Sequence, residues 1–270
     1  MNAAARLLDA DEPSPVLLHP PGLTPADWAA RGSPYLLAAD HAGRCLPRRL
    51  GNLGITEAEL SRHIGWDIGI WGTTTHLADL LQTLAIGQAY SRLVIDCNRN
   101  PAWPNAIPAI SESTDIPGNA NLQPAARAAR IAEIHAPYHD ALAALVAARR
   151  TAARPLLFVA MHSFTPVYKG IARPWHAGVL YDEADPRSLP LAYLMLDLLR
   201  AEPGLVTGAN EPYVLSSSSD HCVPTHAQAN AVPYLELEIR QDLIADPAGQ
   251  REWAERLAHL IPRAWARFAA

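Results

Sequence analysis

The chain of 270 residues predicts an α/β fold in three layers, α/β/α, around a mixed, mostly parallel central sheet. Strand-like apolar runs at Tyr35–Ala39, 156–161 and Tyr234–Arg240 alternate with helix-period stretches, the pattern of a sheet whose crossovers are helices. Hydrophobic residues make up 49% of the chain and charged ones 18%, enough for a sizeable core, and residues 1–270 read as a single domain. Histidines and carboxylates gather on or just after the apolar runs, where open α/β sheets keep their chemistry.

In chain order, Thr24 before Pro25 opens a short helix through Ala30, because a hydroxyl cap and a proline at the first helical position suit a helix start. Tyr35–Ala39 reads as a buried strand. Thr56 and Glu59 form a capping-box pattern, and residues 75–84 carry Leu77, Leu80, Leu81 and Leu84 at helical spacing. Residues 93–97 read as the next strand. The stretch 98–124, rich in Pro, Asn, Ser and Gly, is expected to be a site-covering loop. An alanine-rich helix over 124–151 is expected to bend at Pro137, which removes a backbone donor. Strands follow at 156–161 and 178–181, helices at 189–199 and 225–230, and a strand at Tyr234–Arg240. In the closing helix, 249–268, Trp253, Leu257, Leu260, Ala264 and Phe268 form an inward stripe.

A net charge of −5 without a basic stripe argues against nucleic acid or an anionic membrane as partner. The pairs Arg48–Arg49 and Arg149–Arg150 read as solvated helix ends. Cys45, Cys97 and Cys222 are odd in number and far apart, as expected of reduced thiols in a cytoplasmic protein. Residues 1–15 hold no long apolar stretch and no segment is apolar enough to span a membrane, so neither export nor insertion is expected. Oligomeric state is not legible.

Hydrolysis at a metal needs three nitrogen or oxygen ligands and one open position. His41 and His162 follow apolar runs and are candidate ligands; Asp67 is the favoured third and His63 its alternative. In Leu235–Glu236–Leu237–Glu238–Ile239–Arg240 strict alternation puts three charged groups on one face, costly to bury unless they serve a polar site, and Glu238 is the candidate general base. Arg92, Asn98 and Arg99 flank the run 93–97; an arginine fork suits a carboxylate or a developing oxyanion.

The segments Asp40–His41–Ala42–Gly43, Ser91–Arg92 with Asn98–Arg99, Met161–His162–Ser163 and Leu237–Glu238–Ile239–Arg240–Gln241 resemble the N-formylglutamate amidohydrolase family, from about residue 34 to the end. That family is itself similar to the zinc carboxypeptidases and aspartoacylases. The resemblance implies a zinc-carboxypeptidase-like fold and a zinc-dependent amidohydrolase acting on an N-formyl or N-acyl amino acid. It makes His41 and His162 zinc ligands, Arg92 an oxyanion-stabilising group, Asn98 and Arg99 binders of the substrate carboxylate, and Glu238 the base. Carboxypeptidases carry their acidic ligand three residues after the first histidine, where this chain has Arg44, so Asp67 is assigned on the residues alone. His176, His221 and His226 receive no role. Two other readings stand beside this one: a serine hydrolase using Ser163 or the run 216–219 with Asp220 and His221, and a noncatalytic ligand-binding descendant of the fold.

Overall fold

The computed structural model describes residues 6–270; residues 1–5, part of the stretch expected to lack an export signal, lie outside the described residues. The strands are β1 Val16–His19, β2 Tyr35–Ala39, β3 Leu84–Gln88, β4 Ile110–Ser111, β5 Thr114–Asp115, β6 Leu157–Phe164, β7 Val167–Tyr168, β8 Ile171–Ala172, β9 Ala177–Leu180, β10 Thr207–Ala209 and β11 Tyr234–Arg240. The α-helices are α1 Pro25–Ala30, α2 Glu57–Leu60, α3 Ile70–Leu80, α4 Pro124–Arg130, α5 Ala136–Thr151, α6 Leu189–Arg200, α7 Cys222–His226 and α8 Pro247–Phe268.

Seven strands form one sheet in the order β1-β3-β2-β6-β11-β9-β10. The β3, β2, β6 and β11 pairings are parallel, as is β9 with β10, whereas β1–β3 and β11–β9 are antiparallel. This is the mixed, mostly parallel sheet the sequence predicts. Alternation sorts its side chains: Leu37, Val159, Leu235 and Leu237 join α3, α6 and α8 in one core layer, while Leu36, Ala38, Phe158 and Ala160 pack on the face of α1 and α5. Both faces are thereby covered, as a buried parallel sheet requires. Among the described residues no helix is long and apolar enough to cross a membrane.

Some elements fall elsewhere than expected. Residues 93–97 are not a strand: the Ser91 hydroxyl accepts from the Leu93 N–H and the Ser91 carbonyl from the Val94 N–H, closing a turn in place of a ladder. The strand lies earlier, at β3, so Leu84 belongs to it and not to the preceding helix. That helix, α3, starts at Ile70 after Gly69 (φ 78°), and Gln82 (φ 51°) turns the chain into β3. Strand β6 runs on to Phe164, which leaves His162 inside it rather than beyond its end. The alanine-rich helix is interrupted by a π-turn, Ile131–His135, directly before Pro137, whose missing N–H removes one α-helical bond. The helix expected over 225–230 falls earlier, as α7, which ends at His226, and a 3-10 turn follows at Gln228–Asn230. Arg149 is no solvated helix end either, but a fully buried side chain. The stretch 98–124 walls a cavity, as expected of a covering loop, and carries the β4–β5 hairpin.

Strand β2 leads on to β3 on one side and neighbours β6 on the other, so the crevice at their carboxyl ends lies where the winding of the sheet reverses direction. Ligands of open α/β sheets bind at such a point.

Candidate active site

Three adjacent strands carry the candidate residues. Ala38 pairs with Ala160 across β2 and β6, and Glu238 pairs with His162 across β6 and β11. Asp40, His162 and Glu238 therefore project on one face of the sheet, with His41 at the turn that follows β2. Antiparallel pairing also sets Glu238 opposite Gly178, where an added Cβ would lie 1.9 Å from the Glu211 carbonyl oxygen, so only glycine lets that segment approach. Asp67 reaches the same point from the segment before α3, its N–H donating to the His41 carbonyl.

His41, Asp67 and His162 are all buried, and one donor atom on each lies within 4.8 Å of the others. Asp67 Oδ2 stands 3.4 Å from His41 Nδ1 and 3.0 Å from His162 Nδ1. His41 Nε2 is 2.7 Å from Asp96 Oδ1. A carboxylate only accepts, so Nε2 carries a proton, and in the neutral imidazole that a metal requires Nδ1 offers its lone pair beside the Asp67 carboxylate. That buried Nδ1 has no hydrogen-bond partner. Two lone-pair donors face to face make a seat for a cation, and a set of two imidazoles and a carboxylate suits zinc and its neighbours. Asp96 supplies the outer support expected of a ligating histidine. On His162 it is Nδ1 that donates to the Asp67 carboxylate, at 3.0 Å, while Nε2 has no hydrogen-bond partner and faces Asp40 Oδ2 at 3.8 Å; Tyr138 donates to the other Asp40 oxygen at 2.6 Å.

The surrounding charges follow from this packing. Burial pushes the Asp67 carboxyl upward, but His41 and His162 outweigh it and hold the group well below the usual carboxylate range. Glu238 is raised by burial to about 8, and its Oε2 has no partner. Strand β11 is not an edge strand with a wet face: it lies between β6 and β9 and buries both Glu236 and Glu238. Arg92 donates through Nε and Nη2 to Asp96 Oδ2 at 3.1 and 2.6 Å, while Nη1 stays 3.5 Å from Asp67 Oδ1.

These groups line a cavity of about 580 Å³, which also reaches Asn98, Arg99, Asp220, Tyr168 and Tyr213. Asn98 Nδ2 donates to Asp220 Oδ1, and its Oδ1 accepts from the His221 and Cys222 N–H groups, all at 3.0 Å. One amide hydrogen of Asn98 remains for a ligand. Arg99 Nη1 donates to the Asn98 carbonyl at 2.9 Å. His63 lines the cavity beside Glu112 and is not part of the three-residue group. His176 accepts from the Val206 N–H, away from the cavity. Among the described residues no serine hydroxyl bonds a histidine: Ser163 donates to the Ile68 carbonyl and Ser219 to Asp220, so the serine-hydrolase reading has no relay.

The family model for N-formylglutamate amidohydrolase matches residues 33–245. The chain belongs to the N-formylglutamate amidohydrolase family. Membership places it among the amidohydrolases. A gene product of Agrobacterium tumefaciens of known crystal structure is 34% identical, with a TM-score of 0.89 over 98% of this chain and 100% of that one. An N-formylglutamate amidohydrolase from Ralstonia eutropha JMP134 shares the fold at 19% identity and a TM-score of 0.59, covering 95% of this chain and 100% of its own. No curated protein matches the chain.

Several groups near the site escaped the sequence reading. Asp96 is a buried acid bonded to His41, and Asp40 is a buried acid bonded by Tyr138 and 3.8 Å from His162 Nε2; only the neighbouring histidine and the apolar run around them hinted at either. A second group was missed outright. His135 and His139, four apart in the chain, meet His226 and the half-buried His221 in a cluster behind Asn98 and Arg99. Burial lowers all four imidazoles, His226 to about 4.

Proposed function

We propose that the chain is a zinc-dependent amidohydrolase that cleaves the amide of an N-formyl or N-acyl amino acid such as N-formylglutamate. One observation carries this: in a chain of an amidohydrolase family, His41, Asp67 and His162 converge beside Glu238 and Arg92 in one cavity. Bound by those three ligands, a zinc ion supplies Lewis acidity to a carbonyl oxygen and acidity to a water. Glu238 takes the proton of the attacking water at its free Oε2 and passes it to the leaving nitrogen, a role favoured by a pKa near working pH. Arg92, oriented by Asp96, shares the negative charge that develops on the carbonyl oxygen. Arg99, with the remaining Asn98 amide hydrogen, holds the substrate carboxylate. The three cysteines are unpaired, which fits a reducing cytoplasm.

Metal analysis of the purified protein with an amine-release screen over N-formyl and N-acyl amino acids tests the reading. Release of amine that stops on chelation and returns with zinc supports it; activity indifferent to chelators would refute metal dependence.

Arg99→Lys tests substrate recognition. Exchanging a planar fork for a point charge costs about 1.5–3 kcal/mol of charge-assisted bonding, so kcat/KM on an acid substrate falls roughly ten- to a hundredfold while its neutral amide analogue barely changes. Equal losses on both substrates assign Arg99 instead to its bonds with Asn98 and Asp220.

A further inference from the structure

We infer that His135, His139 and His221 form a second binding site for a divalent transition cation of the zinc type, separate from the His41–Asp67–His162 group. One donor atom on each of the three histidines lies within 4.8 Å of the others. His135 and His139 are buried, and His221 is partly exposed, which leaves a route for an ion from solvent.

The tautomers follow from the neighbours. His135 Nε2 is 3.1 Å from the Arg99 carbonyl, and His139 Nε2 is 2.9 Å from the Cys97 carbonyl. Carbonyl oxygens only accept, so both Nε2 atoms carry protons and both Nδ1 atoms present lone pairs. Histidines that bind metals are held in this way, the far nitrogen donating to a backbone carbonyl. The His135 Nδ1 lone pair has no hydrogen-bond donor among the described residues. His221 is held through Nδ1 by Thr225 Oγ1 at 3.2 Å, which leaves its Nε2 uncommitted.

His139 Nδ1 lies 2.8 Å from His226 Nε2, so coordination at that atom replaces one hydrogen bond. The His226 ring lies edge to edge and nearly coplanar with His139, its Nε2–H pointing along the Nδ1 lone pair, so His226 turns aside when an ion binds there. Local backbone prepares the arrangement: the π-turn Ile131–His135 ends at the first ligand, and the following α-helical turn brings His139 onto the same face, with ring centroids 4.3 Å apart. An all-imidazole donor set selects zinc, copper, nickel or cobalt over magnesium and calcium.

The second cation would tie α5 and the His221 segment to the turn that carries Asn98 and Arg99. That turn is already bonded to the cluster through the Cys97 and Arg99 carbonyls and through the Asn98 side chain to the His221 N–H. Binding itself does not depend on the proposed catalytic reading.

Zinc binding to metal-stripped protein tests the site, by equilibrium dialysis at micromolar free zinc, with circular dichroism to confirm folding. Wild type should take up about two equivalents, one for each three-ligand set. The double variant His41→Ala/His162→Ala should keep one, and His221→Ala or His135→Gln should each lose the other. A cobalt titration of wild type, in which His221→Ala abolishes the visible absorption of one equivalent, gives the same answer without touching the catalytic group. If wild type holds one equivalent that disappears in His41→Ala/His162→Ala and survives His221→Ala, the second site does not exist. If the one equivalent survives the double variant and disappears in His221→Ala, the second site stands and the catalytic metal falls.

Discussion

Glu238→Gln lowers kcat by roughly 100-fold or more while zinc content stays at the wild-type value, because the amide keeps the shape of the acid and loses only its capacity to move a proton. The structure makes this separation clean. Glu238 lies on β11, across the ladder from His162, and its Oε2 is free of protein partners, so an amide there breaks no hydrogen bond. His162→Ala has the opposite signature. It removes a ligand together with a bond to Asp67, and the zinc equivalent assigned to His41, Asp67 and His162 should be lost with turnover. Both variants are read by metal analysis beside an amine-release assay. Full activity in the glutamine variant would make Glu238 a structural residue, and wild-type zinc content in the His162 variant would remove that histidine from the ligand set.

Strands β2, β6 and β11 were legible because each is a short run of apolar residues bounded by turn or polar signals, and in β11 the period of two survives even with charged residues on one face. The 93–97 run offered the same hydrophobicity and is a turn. Leu93, Val94 and Ile95 are buried in a separate core cluster with Leu53, Ile107 and Ile116, so burial without ladder pairing accounts for the composition. Strand β3 was hidden by Gly87, a weak strand former; an added Cβ there would lie 2.7 Å from the Trp71 ring and 2.8 Å from Ala42 Cβ, so packing and not propensity sets that residue. His41, Asp67, His162 and Glu238 were readable as candidates since each stands out against apolar neighbours. The supporting acids were not, because the bonds of Asp96 to His41 and Arg92 exist only once the turn at 93–97 has folded. The spacing of His135 and His139 was visible in the sequence, yet on an alanine-rich helix it carries no meaning until His221, far along the chain, arrives beside it.

Arg149→Ala should be the most destabilising exchange outside the active site. Its side chain is fully buried on α5, and its guanidinium donates to five carbonyls: Pro155 at 3.0 Å, Trp28 and Ala29 at 3.3 Å, Arg31 at 2.7 Å and Ser33 at 2.6 Å. Those of Trp28, Ala29 and Arg31 lie at the carboxyl end of α1, where helical carbonyls lack partners within the helix and cations are favoured. The same group lies 5.2 Å from the centre of the buried Trp28 ring. One arginine thus closes α1, the turn into β2 and the entry to β6. Alanine leaves several buried acceptors without their donor and opens a cavity, a cost of about 3–5 kcal/mol, which at this chain length lowers Tm by roughly 6–20 °C. Lysine at the same position restores a charge but not the planar fork, so it should recover less than half of the loss. Thermal unfolding followed by circular dichroism reads both variants, and zinc content per folded molecule should remain that of wild type in each. An unchanged Tm in Arg149→Ala would mean that water satisfies the five carbonyls as well as the guanidinium does.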